Sequence, residues 1–257
     1  MAVMAWLMPL SHDRRIRASA IGAAGSAACV LALLSAAVLP EKAGVVFRDW
    51  LPVPLILAAY HQAGQLFTKP WHRLQSMLWS LDQKLLGPLA EGPGAVKWNP
   101  FLSAYFEIAY VVCYPLIPAA LGALYLLNLE NHADEFWTVV LPPTYLCYAL
   151  VPILPSLPPR LLHAEPGLSI LRGGARDLNL WILGHWSIQA NTFPSAHVAA
   201  CIAASLVLLR WNLPVGACFL WIALSIAAAV VVRRYHYLAD AVLGIGLPLV
   251  LFVLMTR

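Results

Sequence analysis

Charge is scarce in this chain. Of its 257 residues only 11% are Asp, Glu, Lys or Arg, against roughly 25% in a soluble globular domain, so a membrane protein is expected. The five cysteines (Cys29, Cys113, Cys147, Cys201, Cys218) form no CxxC pair and have no His-rich ligand spacing around them, which argues against a metal or redox framework. All five fall inside apolar runs and read as small core residues. The net charge of +4 lies mostly between apolar runs, so nucleic acid is not an expected partner. No internal repeat is evident. No GxSxG elbow surrounds Ser195, which weakens a serine-hydrolase reading.

What the chain has is hydrocarbon: 61% of residues are hydrophobic. A bilayer core takes about 20 consecutive apolar residues per helical span, and seven segments can be drawn at 16–40, 50–68, 102–128, 136–157, 194–210, 213–232 and 237–256. All are expected to be helices, because lipid offers backbone groups no other partner. The first follows Arg14, Arg15 and Arg17 in signal-peptide order, but its apolar part, Ala18 to Pro40, is too long for a signal peptide and reads as an uncleaved span. The second is the weakest, with two prolines, His61 and two glutamines. Between the second and third, Trp71, Leu74, Leu78, Leu81 and Leu85 recur at helical spacing opposite Arg73, Gln75, Asp82 and Lys84. This predicts an amphipathic helix over 71–87 that lies in the membrane interface or caps the bundle. One integral membrane domain over 1–257 is expected, all-α and polytopic.

The longest polar connection, 158–193, holds Arg160, His163, Glu165, Arg172, Arg176, Asp177 and His185. A connection this long in a compact protein is usually functional or disordered, and it is read as an active-site loop. Counting spans places the end of segment four, the start of five, the end of six and the start of seven on one membrane face. Arg160, Ser195, His197, Arg233, Arg234, His236 and Asp240 should therefore converge.

Their chemistry fits together. His236 and Asp240 are four apart and share a helix face. A carboxylate there fixes the imidazole tautomer and leaves the other nitrogen free as nucleophile or base. Pro194 suits a first helical turn, and free N–H groups around Ser195 to His197 would face an anion. Ser195 reads equally well as a helix cap. Arg160, Arg233 and Arg234 carry forked donors suited to phosphate, or are ordinary flanking charge.

"FPSAH" (193–197), followed about forty residues later by "RYHYLAD" (234–240), resembles the second and third signature motifs of the type 2 phosphatidic acid phosphatase and vanadium haloperoxidase superfamily. The "HY" ahead of the aspartate is similar to its lipid phosphotransferase branch, which includes inositol phosphorylceramide synthases. The resemblance covers mainly 155–245, with "RDWLP" (48–52) a weak echo, and it implies a six-helix core plus an extra N-terminal span. It also implies His236 as the nucleophile that takes the phosphoryl group, Asp240 as its orienting partner, His197 as the acid at the leaving oxygen, and Ser195 as a phosphate contact. This chain departs from the pattern at Ala196, where glycine is usual, and at Ala229 and Val230, where serine and arginine are usual. The first motif's lysine ahead of Arg-Pro is missing, and "PPR" ending at Arg160 is its best stand-in. Phosphate binding is accordingly assigned to Arg160, Ser195, Arg234 and Arg233, with no metal and no cofactor. Arg234→Ala is expected to weaken transition-state binding.

The function expected is a lipid phosphatase or phosphotransferase working through a phosphohistidine: water as acceptor gives a hydrolase, an alcohol a transferase. A phosphate headgroup remains at the aqueous boundary while its tail stays in lipid, which explains a titratable cluster where helices begin. Two other classes compete. His197, His236 and Asp240 also compose a 2-His-1-carboxylate metal set, against which the arginines argue. Internal prolines with Glu107 also fit a transporter, in which case Glu107→Ala would matter; otherwise Glu107 is a paired or snorkelling residue. The expected partners are a membrane lipid substrate and the bilayer, a homo-oligomer being left open. The expected location is a bacterial inner membrane. With seven spans, positive-inside sorting faces the site to the cytoplasm; if 50–68 does not span, the parity reverses.

Overall fold

Hydrocarbon leaves each backbone N–H and C=O only its own segment to bond with, and every apolar run folds as a helix. The computed structural model describes residues 1–91, 99–162 and 174–255; His163, Glu165 and Arg172, named above, lie outside them. In chain order the helices are α1 (Ala2–Leu7), α2 (His12–Val38), α3 (Glu41–Trp50), α4 (Pro52–Leu66), α5 (His72–Leu86), α6 (Pro100–Leu126), α7 (Ala133–Leu150), α8 (Gly174–Trp186), α9 (Ala196–Trp211), α10 (Leu213–Val232) and α11 (Leu238–Met255). Among the described residues only an isolated bridge, Ser156 to Asn191, has strand-like pairing. Among the described residues, five stretches are long and apolar enough to cross a membrane: His12–Ser35, Glu41–Leu66, Pro100–Leu126, Leu213–Val232 and Leu238–Met255. Ala196–Trp211 is shorter but apolar. The protein is an all-α polytopic helical bundle.

The bundle is organised around α9, which packs against α6, α7, α10 and α11. Val198, Ala199, Ala203, Ala204 and Val207 are fully buried there; small side chains let four neighbours approach one helix closely. The N-terminal helices form an outer layer. Gln62 donates from its Nε2 to Ala18 O at 2.8 Å and Arg14 donates to Gly64 O at 3.1 Å, tying α2 to the end of α4.

Several boundaries and faces differ from the sequence expectation. The second span begins at Glu41 rather than residue 50: Leu51 stays helical between α3 and α4, and Pro52, which has no N–H to give the preceding turn, marks the junction at the start of α4. The fourth segment ends its helix at Leu150, short of residue 157. The 158–193 connection is not all loop, since it contains α8, whose Arg176, Asn179 and Leu183 are buried on one face. Cys113, Cys147 and Cys201 are buried, but Cys29 and Cys218 are exposed on the outer faces of α2 and α10 rather than in the core.

Helix α5 also departs from a simple oily stripe. Leu74 and Leu78 are buried with Tyr237, while Trp71, Leu81 and Leu85 are exposed. The reason is Asp82, which is fully buried and captured by Arg234. Pairing one buried carboxylate rotates the helix so that the 74, 78 and 82 positions face the bundle. The helix therefore caps the bundle with one face and presents apolar side chains outward with another.

Candidate active site

The convergence expected from span counting is present. Arg160 N donates to Arg234 O at 3.1 Å, and Ser195 N donates to Asp240 O at 3.0 Å. These bonds join the connection after α7, the start of α9, the end of α10 and the start of α11. The "RDWLP" stretch is elsewhere. Asp49 accepts from Tyr125 at 2.7 Å, and its carbonyl accepts from Trp137 Nε1 at 2.7 Å, which places it at the opposite end of the bundle.

His236 lies in the turn between α10 and α11, its N–H donating to Val230 O at 2.8 Å. Its Nδ1 is 3.2 Å from Asp240 Oδ2, one helical turn on. That same carboxylate oxygen accepts from Tyr237 N at 2.9 Å and from Asn191 Nδ2 at 2.9 Å. Asp240 is fully buried and held from three directions, so it fixes the imidazole rather than following it. His197 stands opposite, with its ring centroid 5.9 Å from that of His236. The rings of Tyr60, Tyr110 and Tyr114 surround it at 6.4, 6.2 and 5.7 Å. Its Nδ1 is buried and, among the described residues, has no hydrogen-bond partner.

Ser195 is fully buried and caps α9, its Oγ accepting from Val198 N. Pro194 precedes this cap rather than lying in the first turn. The amides expected to face an anion are in part already committed: Ser195 N to Asp240 O, and Ala196 N to Thr192 Oγ1 at 3.2 Å. Gly244 on α11 makes the junction tight, for a Cβ there would fall 2.9 Å from Ser195 O and 3.1 Å from Val198 Cβ.

The three arginines have different surroundings. Arg234 has φ +60°, a left-handed conformation uncommon outside glycine, and this turn sends two adjacent side chains opposite ways. Arg233 goes to Glu107 on α6, which also accepts from Arg176 at 3.1 Å, Tyr235 at 2.7 Å and Asn179 at 2.6 Å. Arg234 goes to Asp82 on α5, which also accepts from Leu238 N at 3.1 Å. Burial pushes the Asp82 carboxyl above its ordinary pKa and Arg234 offsets part of that; burial likewise raises the Tyr235 hydroxyl. Arg160 is half-buried and donates through its Nη2 to a neutral hydroxyl, Ser187 Oγ, at 3.1 Å. Arg160 lines a small cavity of about 20 Å³ together with His197, His236, Ser187, Thr192 and Tyr235; Arg233 and Arg234 do not line it.

A second cavity, of about 440 Å³, adjoins the first through Tyr60, Ser187 and His197 and is otherwise almost wholly apolar. Asn191, Ser187, Tyr60 and Asp82 were not singled out from sequence as parts of the site. Asn191 alone carried a signal, two residues ahead of "FPSAH". Among the described residues no group of three His, Cys, Asp or Glu is placed to hold a metal ion.

Two imidazoles flanking one small cavity, one of them oriented by a carboxylate, with a guanidinium at its wall, form an arrangement for positioning and stabilising an anion in reaction. No curated protein and no solved structure gives a significant match to the chain. The family model described as PAP2 superfamily matches residues 76–254, more than half of the chain and all of α6 to α10. The chain belongs to the PAP2 (type 2 phosphatidic acid phosphatase) superfamily and is a phosphoesterase of phosphatase type.

Proposed function

We propose that this protein is an integral membrane enzyme that removes or transfers the phosphate headgroup of a lipid through a phosphohistidine on His236. One observation carries this reading: the His236–Asp240 pair and His197 face each other across a cavity that continues into an apolar one. The ring centroids of the two histidines are 5.9 Å apart, so both imidazoles border the same small cavity.

With Nδ1 turned to Asp240, His236 presents Nε2 to the phosphorus. Nε2 forms the P–N bond as the P–O ester bond breaks, and protonated His197 gives its proton to the departing lipid oxygen. In the second step His197 takes a proton from the incoming water or alcohol, whose oxygen displaces His236. Arg160 is the principal phosphate contact, supplying fixed positive charge where negative charge spreads over the equatorial oxygens. Ser195, Arg233 and Arg234 contribute from behind by holding the turns that carry the two imidazoles.

The test is phosphate release from long-chain lipid phosphates by purified protein, with and without an alcohol acceptor, for wild type, His236→Ala and His197→Ala. Turnover is expected to fall to background in His236→Ala while thermal stability is retained. Turnover that survives His236→Ala rules out the phosphohistidine. Transferred headgroup in the alcohol arm assigns a transferase, and free phosphate alone a hydrolase.

A further inference from the structure

Resting on that reading, we infer that α4, which lies N-terminal to the family-matched residues, is this protein's substrate-selecting element. Its inner face lines the cavity that takes the lipid tail, and Tyr60 joins that cavity to the phosphate site. The geometry is regular. Val53, Ile56 and Tyr60 recur at three and four residues along one face of α4, and all three line the 440 Å³ cavity, a volume within the roughly 300–1,000 Å³ of small-molecule sites. From Tyr60 to Val53 is seven residues, or about 10 Å along a helix axis, running away from His197 into the apolar bundle. The facing wall comes from α6 around Pro115 and Pro118, which cannot donate backbone hydrogen bonds. Leu57 and Tyr114, on opposite walls, are both more than a third exposed, so the cavity opens sideways where lipid would be.

The occupant is a hydrocarbon chain of the phosphorylated lipid itself. The cavity shares Tyr60, Ser187 and His197 with the phosphate site, so a molecule with its phosphorus at His236 has its attached chain at this opening. An apolar wall gains from burying such a chain and offers nothing to a soluble phosphate ester's polar remainder.

Tyr60 has a second role as a positioning residue. Its Oη accepts from Ile188 N at 3.1 Å, fixing the segment whose Ser187 Oγ receives Arg160. Gly64, one turn further along α4, makes room for this segment: a Cβ there would fall 2.6 Å from Ile188 Cβ. The α4 helix thus grips the Ser187–Ile188 segment at two points and, through it, sets where the Arg160 guanidinium stands.

The experiment measures phosphate release from two alkyl phosphates, one of about eight and one of about sixteen carbons, by the full-length protein in detergent. Val53→Trp fills the far end of the cavity and is expected to lower the ratio of long-chain to short-chain turnover at least tenfold. Val53→Ala is expected to move the ratio the other way, and it keeps the inference falsifiable should the tryptophan prevent folding. Tyr60→Phe is expected to lower kcat on both chains alike, because it frees Arg160 without narrowing the cavity. A wild type that releases phosphate from neither ester defeats the proposed function. An active wild type whose ratio is unchanged in both Val53 variants defeats the α4 assignment alone.

Discussion

The two arginines beside His236 and the arginine at residue 160 carry the same guanidinium in opposite circumstances. Arg233 and Arg234 are almost fully buried and each is closed by a carboxylate, Glu107 or Asp82. Arg160 is half-buried, meets only a hydroxyl among the described residues and faces the small cavity. A buried charge must be compensated where it lies, so the first two have their attraction for anions satisfied by the protein. Arg160 has no carboxylate closing it among the described residues, which is why it is proposed as the phosphate contact. On the proposed reading, nearness to His236 in sequence is a poor guide to which arginine meets the substrate, and the state of its compensation is a better one.

The largest effect that tests this contrast is on stability. Glu107→Ala removes the carboxylate shared by Arg176, Arg233, Tyr235 and Asn179 and should cost about 3–5 kcal/mol, as breaking a buried pair does. A denaturation series in detergent reads this, and a loss below about 1 kcal/mol would reopen Arg233 as a phosphate ligand. Next in size, Arg160→Ala should lower kcat by about 10²–10³ with little change in stability. If Arg234→Ala proves the more damaging to kcat at equal folding, the two arginines have been assigned the wrong way round.

The smallest effect concerns pH. With its pKa raised above 3.8 in the folded chain, Asp82 holds its proton in the native state to a higher pH than in the unfolded state. Its contribution to stability therefore falls as pH rises from about 3.8 through the folded value. Asp82→Asn should flatten that slope in acid denaturation curves, and a slope unchanged in the variant would show that another group causes it.

Much of this was legible in the sequence because hydrophobic length is a one-dimensional property. The helices over 102–128, 213–232 and 237–256 need only count apolar residues, and span parity alone brought His197, His236 and Asp240 to one end. Residues whose roles depend on a partner far along the chain were not legible. Asp82 reads as the polar side of an amphipathic helix until Arg234, 152 residues away, is seen to hold it. Glu107 reads as a helix-end acid until two arginines and a tyrosine converge on it. Tyr60 sits in the least convincing span, and only packing against Ile188 reveals it beside the site. Pairing between remote polar groups leaves no periodic trace.

The tight seam at Gly244 bears on the width of the gap between the two imidazoles. His197 rides on α9 and His236 on the turn entering α11, so the gap between them is set by how closely those two helices nest. A single added methyl at 244 would lever the helices apart where they touch Ser195 and Val198. The gauge of this gap is held by an atom the protein leaves out.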